Sequence, residues 1–207
     1  MGHSMNTVED PLKEYRDEVN IAASSFFVWK NLNNIASANR AMLRAINANA
    51  LSWSMIAHSL QVTFFIAFGR LFDRDNRSLT LNTFLRFCRN NVAEFSKPAL
   101  EARRLRDAGA SRPEWLDDFL KGVYEPIDAD ILALQSAAGP YEAIYRANYE
   151  PIRHKIIAHK DLATIGASDS LFQKTNIAQV QGVFEFLHQV VGGCYGVAVE
   201  RAEDGAN

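Results

Sequence analysis

The chain has 207 residues, of which 48% are hydrophobic and 22% charged, as is ordinary for one globular domain with a single core. Its 22 basic and 24 acidic side chains give a formal net charge of −2, which excludes a strongly basic molecule and requires any anion site to be local. The opening MGHSM is interpreted as a tag remnant (residues 1–5), leaving residues 6–207 as one domain. Two cysteines far apart in sequence do not suggest a disulfide framework, so a cytoplasmic location is expected.

The first two segments of the chain predict a helical hairpin. The first, about residues 11–36, carries paired aromatic side chains. The second is a ladder of apolar residues three and four positions apart, which predicts one buried face: Trp53, Ile56, Leu60, Phe64, Phe68 and Leu71. Together they are expected to form a long antiparallel hairpin. The apolar run Met55–Gly69 is shorter than a membrane span and contains polar residues, so a core helix and no membrane partner are predicted.

Helical spacing continues to the end of the chain. Loops are predicted at residues 73–78, 107–112 and 163–175, and a boundary at Gly139-Pro140. A helix is expected to begin at SRPE, residues 111–114, where serine and glutamate have capping-box spacing. Convincing β alternation is missing. The fold class predicted is therefore all-α, a bundle of roughly five to seven helices.

Titratable chemistry is concentrated in YEPIRHKIIAHKD, residues 149–161. The apolar stripe runs through Pro151 without changing phase, which favours one kinked helix over a new helix starting there. On a regular helix Arg153 and His159 lie roughly 120° apart around the axis, and His154 and His159 roughly 140° apart. A metal site on one helix needs ligands one turn apart, so neither a metal nor a cofactor is predicted. Two copies meeting across a two-fold axis could still bring these groups together.

This segment resembles the HEPN superfamily, whose signature is an arginine, a polar residue and a histidine four to six positions along a helix. Arg153, His154 and His159 match that signature, with a histidine in place of the commoner asparagine or aspartate. IRHKIIAHKD together with RLFDRDNRSLTL (residues 70–81) is similar to the AbiU-type abortive-infection branch. The resemblance implies a HEPN-like bundle that dimerises with its motifs lining a cleft. Many such proteins are metal-independent endoribonucleases of phage defence or toxin–antitoxin systems, while others only bind RNA or a partner.

The residue types suit RNA cleavage without a metal. Histidine titrates near neutral pH and can move protons, whereas arginine stays charged and offers a planar fork to phosphate oxygens. We therefore assign His159 to proton transfer, Arg153 to the phosphate and His154 to a second polar or acid–base role. Lys160 is expected to add positive charge, and Asp161 to orient a neighbouring group.

Two alternatives remain open for Arg70, Asp73 and Arg74. They could line the same cleft or position the motif helix, or they could be helix-end ion-pair groups, with Asp73 starting a turn. Two functions also remain open. One is an endoribonuclease that cleaves RNA by attack of the 2′-OH, acting as a homodimer and held by a cognate antitoxin. The other is a non-catalytic module that binds RNA, a nucleotide or a partner protein.

Overall fold

Helices make up the regular secondary structure of residues 8–108, 112–159 and 168–195, which are the residues that the computed structural model describes. The α-helices are α1 Glu9–Ala38, α2 Arg40–Ala48, α3 Ala50–Leu71, α4 Leu81–Asn90, α5 Lys97–Ala108, α6 Leu116–Gly122, α7 Asp128–Ile144, α8 Glu150–Ile152, α9 Ser168–Phe172 and α10 Ile177–Tyr195. A 3₁₀ turn, Val92–Phe95, joins α4 to α5. Two π-helical segments, Tyr145–Tyr149 and Arg153–Ala158, lie on either side of α8. The all-α prediction is confirmed.

Six of the described helices have ten or more residues, namely α1, α3, α4, α5, α7 and α10, in line with the predicted five to seven. Apart from α6, the shorter ones are connections that periodicity does not resolve. Helix α2, for example, begins where the Asn39 side chain accepts backbone N–H groups of Ala41 and Met42 at 2.9 and 3.1 Å. The helix expected at SRPE begins later, at Leu116, because the Pro113 carbonyl accepts the Leu116 N–H in a turn.

Helices α1 and α3 form the predicted antiparallel hairpin. Phe26 and Phe64 have ring centroids 5.4 Å apart, while Glu18 and Arg70 form an ion pair of 3.4 Å, so α3 runs back along α1. At this end of the hairpin both helices face the core. The core continues through Phe68 and Phe184, whose centroids are 5.7 Å apart, and so joins the hairpin to α10.

The other end of the hairpin, residues 27–63, contains no buried residue; we call it the arm. The predicted buried face of α3 is therefore correct only from Phe64 onward. Trp53 and Leu60 are half-buried and Ile56 is exposed. The arm holds seven of the thirteen exposed large hydrophobic side chains of the described residues: Val28, Ile35, Met42, Leu43, Leu51, Met55 and Ile56.

Helix α3 is also longer than the apolar run from which it was predicted. With 22 residues and a mean hydropathy of 1.3 in its most apolar window, it is long and apolar enough to cross a membrane by length and composition alone. Its C-terminal part is a core element, since Phe64, Phe65 and Phe68 are buried among other aromatic rings.

The predicted loop after α3 is confirmed and is held by its own side chains. The Asp73 carboxylate accepts the backbone N–H groups of Arg74 and Asp75 at 2.6 and 3.1 Å, which forms a tight turn. Thr80 then caps the start of helix α4: its hydroxyl accepts the Thr83 N–H, while the Thr83 hydroxyl accepts the Thr80 N–H.

The segment from Asp128 to Ala158 is helical throughout, and we call it the motif helix. The boundary predicted at Gly139-Pro140 is wrong, since Pro140 lies inside α7. Burial of Ile131 and Ala138 holds α7 in place across it, although a proline inside a helix costs about 3 kcal/mol. The single-helix interpretation through Pro151 agrees with the structure. Wide π-helical turns on both sides of α8 accommodate the missing N–H, and such turns are known causes of helix bending.

Both cysteines lie in the core as free thiols, and they are neighbours despite their separation in sequence. A hydrogen bond to Cys194, together with burial, raises the pKa of Cys88. Protonated thiols in this position behave as small apolar groups.

Candidate active site

The Arg153 side chain crosses the last turn of α3 directly over Gly69. A Cβ atom built on Gly69 would overlap Cδ and Nε of Arg153 and would lie 3.0 Å from Cζ. Gly69 is itself buried, so the motif helix and α3 approach closely there. Only glycine leaves room for this path of the arginine. The conformation of Arg153 is thus set by a residue on another helix.

The guanidinium of Arg153 is largely buried but weakly paired. Its side chain is 19% exposed, and its nearest carboxylate is that of Asp73, with Nη2 and Oδ2 3.8 Å apart. Nη1 lies 3.4 Å from Nε2 of His154. Nε is buried and has no hydrogen-bond partner among the described residues. Because a buried cation is costly to leave unpaired, this group is suited to receive an anion.

Tyr145 lies beneath the arginine. Its ring stacks on Phe72 with centroids 5.1 Å apart and meets Phe68 edge-on at 5.5 Å. Burial raises the pKa of the Tyr145 hydroxyl to about 12, while the nearby positive charge of Arg153 acts in the opposite direction. The hydroxyl is therefore protonated at neutral pH. This residue and Gly69 were not predicted from the sequence.

The two histidines of the motif are both exposed, but their backbone conformations differ. His154 sits next to Arg153 on the motif helix. His159 is the first residue after that helix and has extended backbone angles, φ −136° and ψ 141°. The angles expected for a regular helix do not apply, because residues 153–158 are π-helical and His159 is not helical. No hydrogen bond joins Arg153 to His159 in the described part of the chain.

The four supporting residues have different outcomes. Asp73 combines both predicted alternatives, since it starts the turn after α3 and also faces Arg153. Arg70 is not brought to the motif; it is 63% exposed and pairs with Glu18 on α1. Lys160 and Asp161 lie outside the described residues.

A chain of ion pairs fastens the motif helix to the elements around Arg153. Glu150 forms ion pairs with Arg74 of the loop after α3 at 3.3 Å and with Arg146 of its own helix at 3.8 Å. Arg146 also reaches Glu142 at 4.0 Å, and Glu142 accepts a hydrogen bond from Asn82 on α4. These contacts tie the motif helix to the loop after α3 and to α4.

The described residues contain no group of three or more His, Cys, Asp or Glu side chains that could hold a metal ion. The polar groups that converge in the described part of the site are Arg153, His154, Asp73 and the Tyr145 hydroxyl.

The family model HEPN_AbiU2, described as AbiU2, matches residues 5–197. The chain belongs to the HEPN AbiU2 family. This family is associated with abortive infection, a form of phage defence. Comparisons with curated proteins and with solved structures gave no match. The resemblance inferred from the motif helix and the loop after α3 is thus confirmed at the level of the family.

The sequence around Gly69 contains a local signal that could have indicated the role of this glycine. A glycine stands within the apolar sequence FFIAFGRLFD, where a helix interior disfavours it by roughly 1 kcal/mol relative to alanine. Such a glycine indicates a close approach by another group. Its partner, however, is 84 positions away in sequence, and nothing in the pattern identifies it as Arg153.

Proposed function

We propose that this HEPN AbiU2 protein is a metal-independent endoribonuclease that acts in phage defence or as the toxin of a toxin–antitoxin pair. The observation that carries the proposal is the Arg153 guanidinium, which is held over Gly69, largely buried and weakly paired, with a histidine beside it. An arginine with unused donors in a partly dry site suits a phosphate that gains negative charge during reaction.

The reaction would be transesterification within RNA. A neutral histidine takes the proton of the 2′-OH, the 2′ oxygen bonds to the adjacent phosphorus, and the bond from phosphorus to the 5′ oxygen breaks. A protonated histidine gives its proton to that leaving oxygen, so the products are a 2′,3′-cyclic phosphate and a 5′-OH end. Arg153 would hold the non-bridging oxygens as charge builds on them.

We assign proton transfer to His159 and a second polar or acid–base role to His154. His154 already lies at Arg153, whereas His159 stands at the exposed end of the motif helix, where an RNA strand could reach it. Histidine suits both steps because its unperturbed pKa lies near neutrality. The proposed assembly is a cytoplasmic homodimer that binds RNA, with an antitoxin as a further partner.

A specific observation favours the alternative, a non-catalytic module that binds RNA, a nucleotide or a protein. Arg153 and His159 are not hydrogen-bonded to one another, and His159 has left the helix. An anion could therefore bind at Arg153 without any proton being transferred. Binding and cleavage have to be measured separately to decide between the two functions.

The test is single-turnover RNA cleavage in EDTA alongside RNA affinity, both at one fixed salt concentration. Arg153→Lys keeps the charge but loses the fork, so we expect near-normal affinity and cleavage about 10²-fold slower. His159→Ala removes a proton-transfer group and should slow cleavage by about 10²–10⁴-fold. Arg89→Lys and His188→Ala are matched controls, because both residues lie outside the site, on α4 and α10.

Wild-type cleavage in EDTA, lost in both motif variants and kept in both controls, would support the enzyme. RNA binding that depends on Arg153 without any cleavage would instead establish the binding module. Equal cleavage by wild type and Arg153→Lys would remove Arg153 from the reaction.

A further inference from the structure

An aromatic cavity lies at the junction of the arm with the rest of the bundle. Residues of α1, α3, the motif helix, α9 and the start of α10 enclose it, and its volume is about 70 Å³. This is several times the space of one water molecule, so the cavity admits a ring-sized group but no large ligand. Aromatic side chains form most of its wall: Phe26, Trp29, Phe64, Phe65, Tyr149 and Phe172. None of the described residues that line it is charged, which favours a flat and neutral ligand.

Two polar groups of the cavity lining have unused hydrogen-bonding capacity. The half-buried side chain of Gln61 has no hydrogen-bond partner among the described residues, and the same holds for the indole N–H of Trp29. Asn176, which also lines the cavity, is already used within the chain, since its side chain accepts the Ala178 N–H at 2.8 Å and caps α10. An amide offers a donor and an acceptor side by side. The ligand that suits Gln61 therefore carries an acceptor next to a donor on its edge.

The wall of the cavity is held in place without a ligand. The Tyr149 hydroxyl donates to the Asn176 carbonyl and accepts the Asn176 N–H, both at 3.1 Å. The Phe65 ring meets Phe172 edge-on with centroids 6.1 Å apart. A site formed in advance in this way loses little conformational freedom when a ligand enters.

The cavity lies one helical turn from the place where Arg153 crosses α3. Tyr149 precedes Arg153 by four positions on the motif helix. Phe65 likewise precedes Gly69 by four positions on α3, and the Phe65 and Tyr149 rings have centroids 6.3 Å apart. Both helices thus place the cavity about 5–6 Å from that crossing. An RNA strand with a phosphate at Arg153 would bring a neighbouring nucleobase to it.

From these observations we infer that the cavity binds one pyrimidine nucleobase. Uracil and cytosine are single neutral rings whose pairing edge has a donor beside an acceptor, which matches the Gln61 amide. The aromatic wall suits the ring itself, because nucleobases stack on aromatic side chains. A purine has a second ring to accommodate, and a charged ligand would find no opposite charge. The nucleobase could belong to RNA or to a free nucleoside, and only the first source rests on the proposed function.

The first test measures the binding of free uridine, without RNA, by ligand-observed NMR. Wild type should bind uridine at millimolar concentration. Gln61→Leu keeps the size of the side chain and removes the amide, so it should weaken binding about tenfold. Adenosine should also bind about tenfold more weakly than uridine, because its second ring overfills the cavity. Toluene, a ring without a polar edge, should not compete with uridine.

Two further variants control for folding and for position. Val180 is buried and lines the cavity, so Val180→Phe should fill it and abolish uridine binding. Val180→Leu serves if the larger ring lowers the helical circular dichroism. Gln135→Leu is the matched control for Gln61→Leu, because Gln135 is a half-buried glutamine on α7 and does not line the cavity. It should bind uridine as wild type does.

The second test distinguishes the two sources of the nucleobase. Single-turnover cleavage is compared for RNAs that carry uridine or adenosine at one position beside the cleavage point. If the nucleobase comes from RNA, wild type and Gln135→Leu should cleave the uridine RNA about tenfold faster, and Gln61→Leu should bring this ratio close to one.

The cavity proposal and the ribonuclease proposal can fail separately. Uridine binding that depends on Gln61, in a protein that cleaves no RNA, would reject the ribonuclease and leave a free nucleoside as the ligand of the cavity. Cleavage of RNA with no uridine binding and no preference for uridine would do the reverse. The cavity proposal would also be overturned if Gln61→Leu left uridine binding unchanged or if toluene displaced uridine, because the cavity would then accept any aromatic group, such as a side chain of a partner protein.

Discussion

The two ends of the α1–α3 hairpin have similar apolar periodicity but opposite surroundings. We call the end of the hairpin that faces the core the base. There Val19, Ala22 and Phe26 of α1 are buried against Phe64 and Phe68 of α3, because α4, α10 and the motif helix pack over them. In the arm the same kind of pattern remains uncovered. A repeat of apolar residues shows that a helix has one face to bury, but it does not reveal what buries it.

The polar groups follow the same division. Ion pairs gather at the base, where Glu18 binds Arg70, Asp73 faces Arg153 and Glu150 binds Arg74. The arm has cations but no acidic residue of its own. The charges of the base are therefore largely paired within one chain, whereas the arm supplies no carboxylate for its own cations. The predictions below test this contrast.

The largest expected effect is on the stability of the base. Phe68 is fully buried and contacts the rings of Phe64, Phe72, Tyr145 and Tyr149, so Phe68→Ala should lower the free energy of unfolding by about 3–5 kcal/mol. In the arm, Leu51→Ala should change it by no more than about 0.5 kcal/mol when the protein is monomeric. Denaturant titration of both variants, at a concentration where light scattering gives the mass of a monomer, measures these values. A similar cost for the two would contradict the contrast.

A smaller effect is expected when a single methyl group is added at Gly69. In Gly69→Ala the new Cβ overlaps Arg153, whose flexible side chain can move aside more readily than the helices can. We expect the variant to fold and its cleavage of RNA to fall by about 10²-fold, since the guanidinium would leave its position. The readout is single-turnover cleavage beside a thermal melt.

Gly182→Ala on α10 is the matched control for this change. A Cβ there meets no atom within 4 Å, so the alanine should raise stability by roughly 0.5–1 kcal/mol and leave cleavage unaltered. Unchanged cleavage in Gly69→Ala would mean that the path of Arg153 over α3 is irrelevant to the reaction.

The sequence was sufficient for those features that depend on local spacing. The all-α class, the hairpin, the turn at Asp73 and the continuity through Pro151 follow from apolar phase and turn chemistry. The boundary predicted at Pro140 is wrong because the packing of α7 outweighs the unfavourable effect of one proline inside a helix. The positions of Gly69 and Tyr145 under Arg153 were beyond reach, since they depend on how the motif helix crosses α3. The π-helical winding of residues 153–158 could likewise not be predicted, because the spacing of apolar residues was interpreted for regular α-helices.

The smallest expected effect is a change in how stability depends on pH. The pKa of Tyr145 is about 12 in the folded protein because of burial, against 10.0 for the free side chain. Between these values the unfolded chain loses the proton that the folded chain retains, so raising the pH through this window favours unfolding. Tyr145 thus contributes stability that is present below pH 10 and lost by about pH 12.

Tyr145→Phe removes this dependence and keeps the ring against Phe72 and Phe68. Relative to wild type, the variant should gain stability as the pH rises from 10 to 12, while the two differ by a constant amount below pH 9. Other buried tyrosines, such as Tyr15 and Tyr149, titrate in both proteins and cancel in the difference. Denaturation midpoints of the two proteins across this range measure it. Parallel pH profiles would mean that the Tyr145 hydroxyl is exposed to solvent and does not lie beneath Arg153. The candidate site would then be more exposed than the buried contacts of Arg153 indicate.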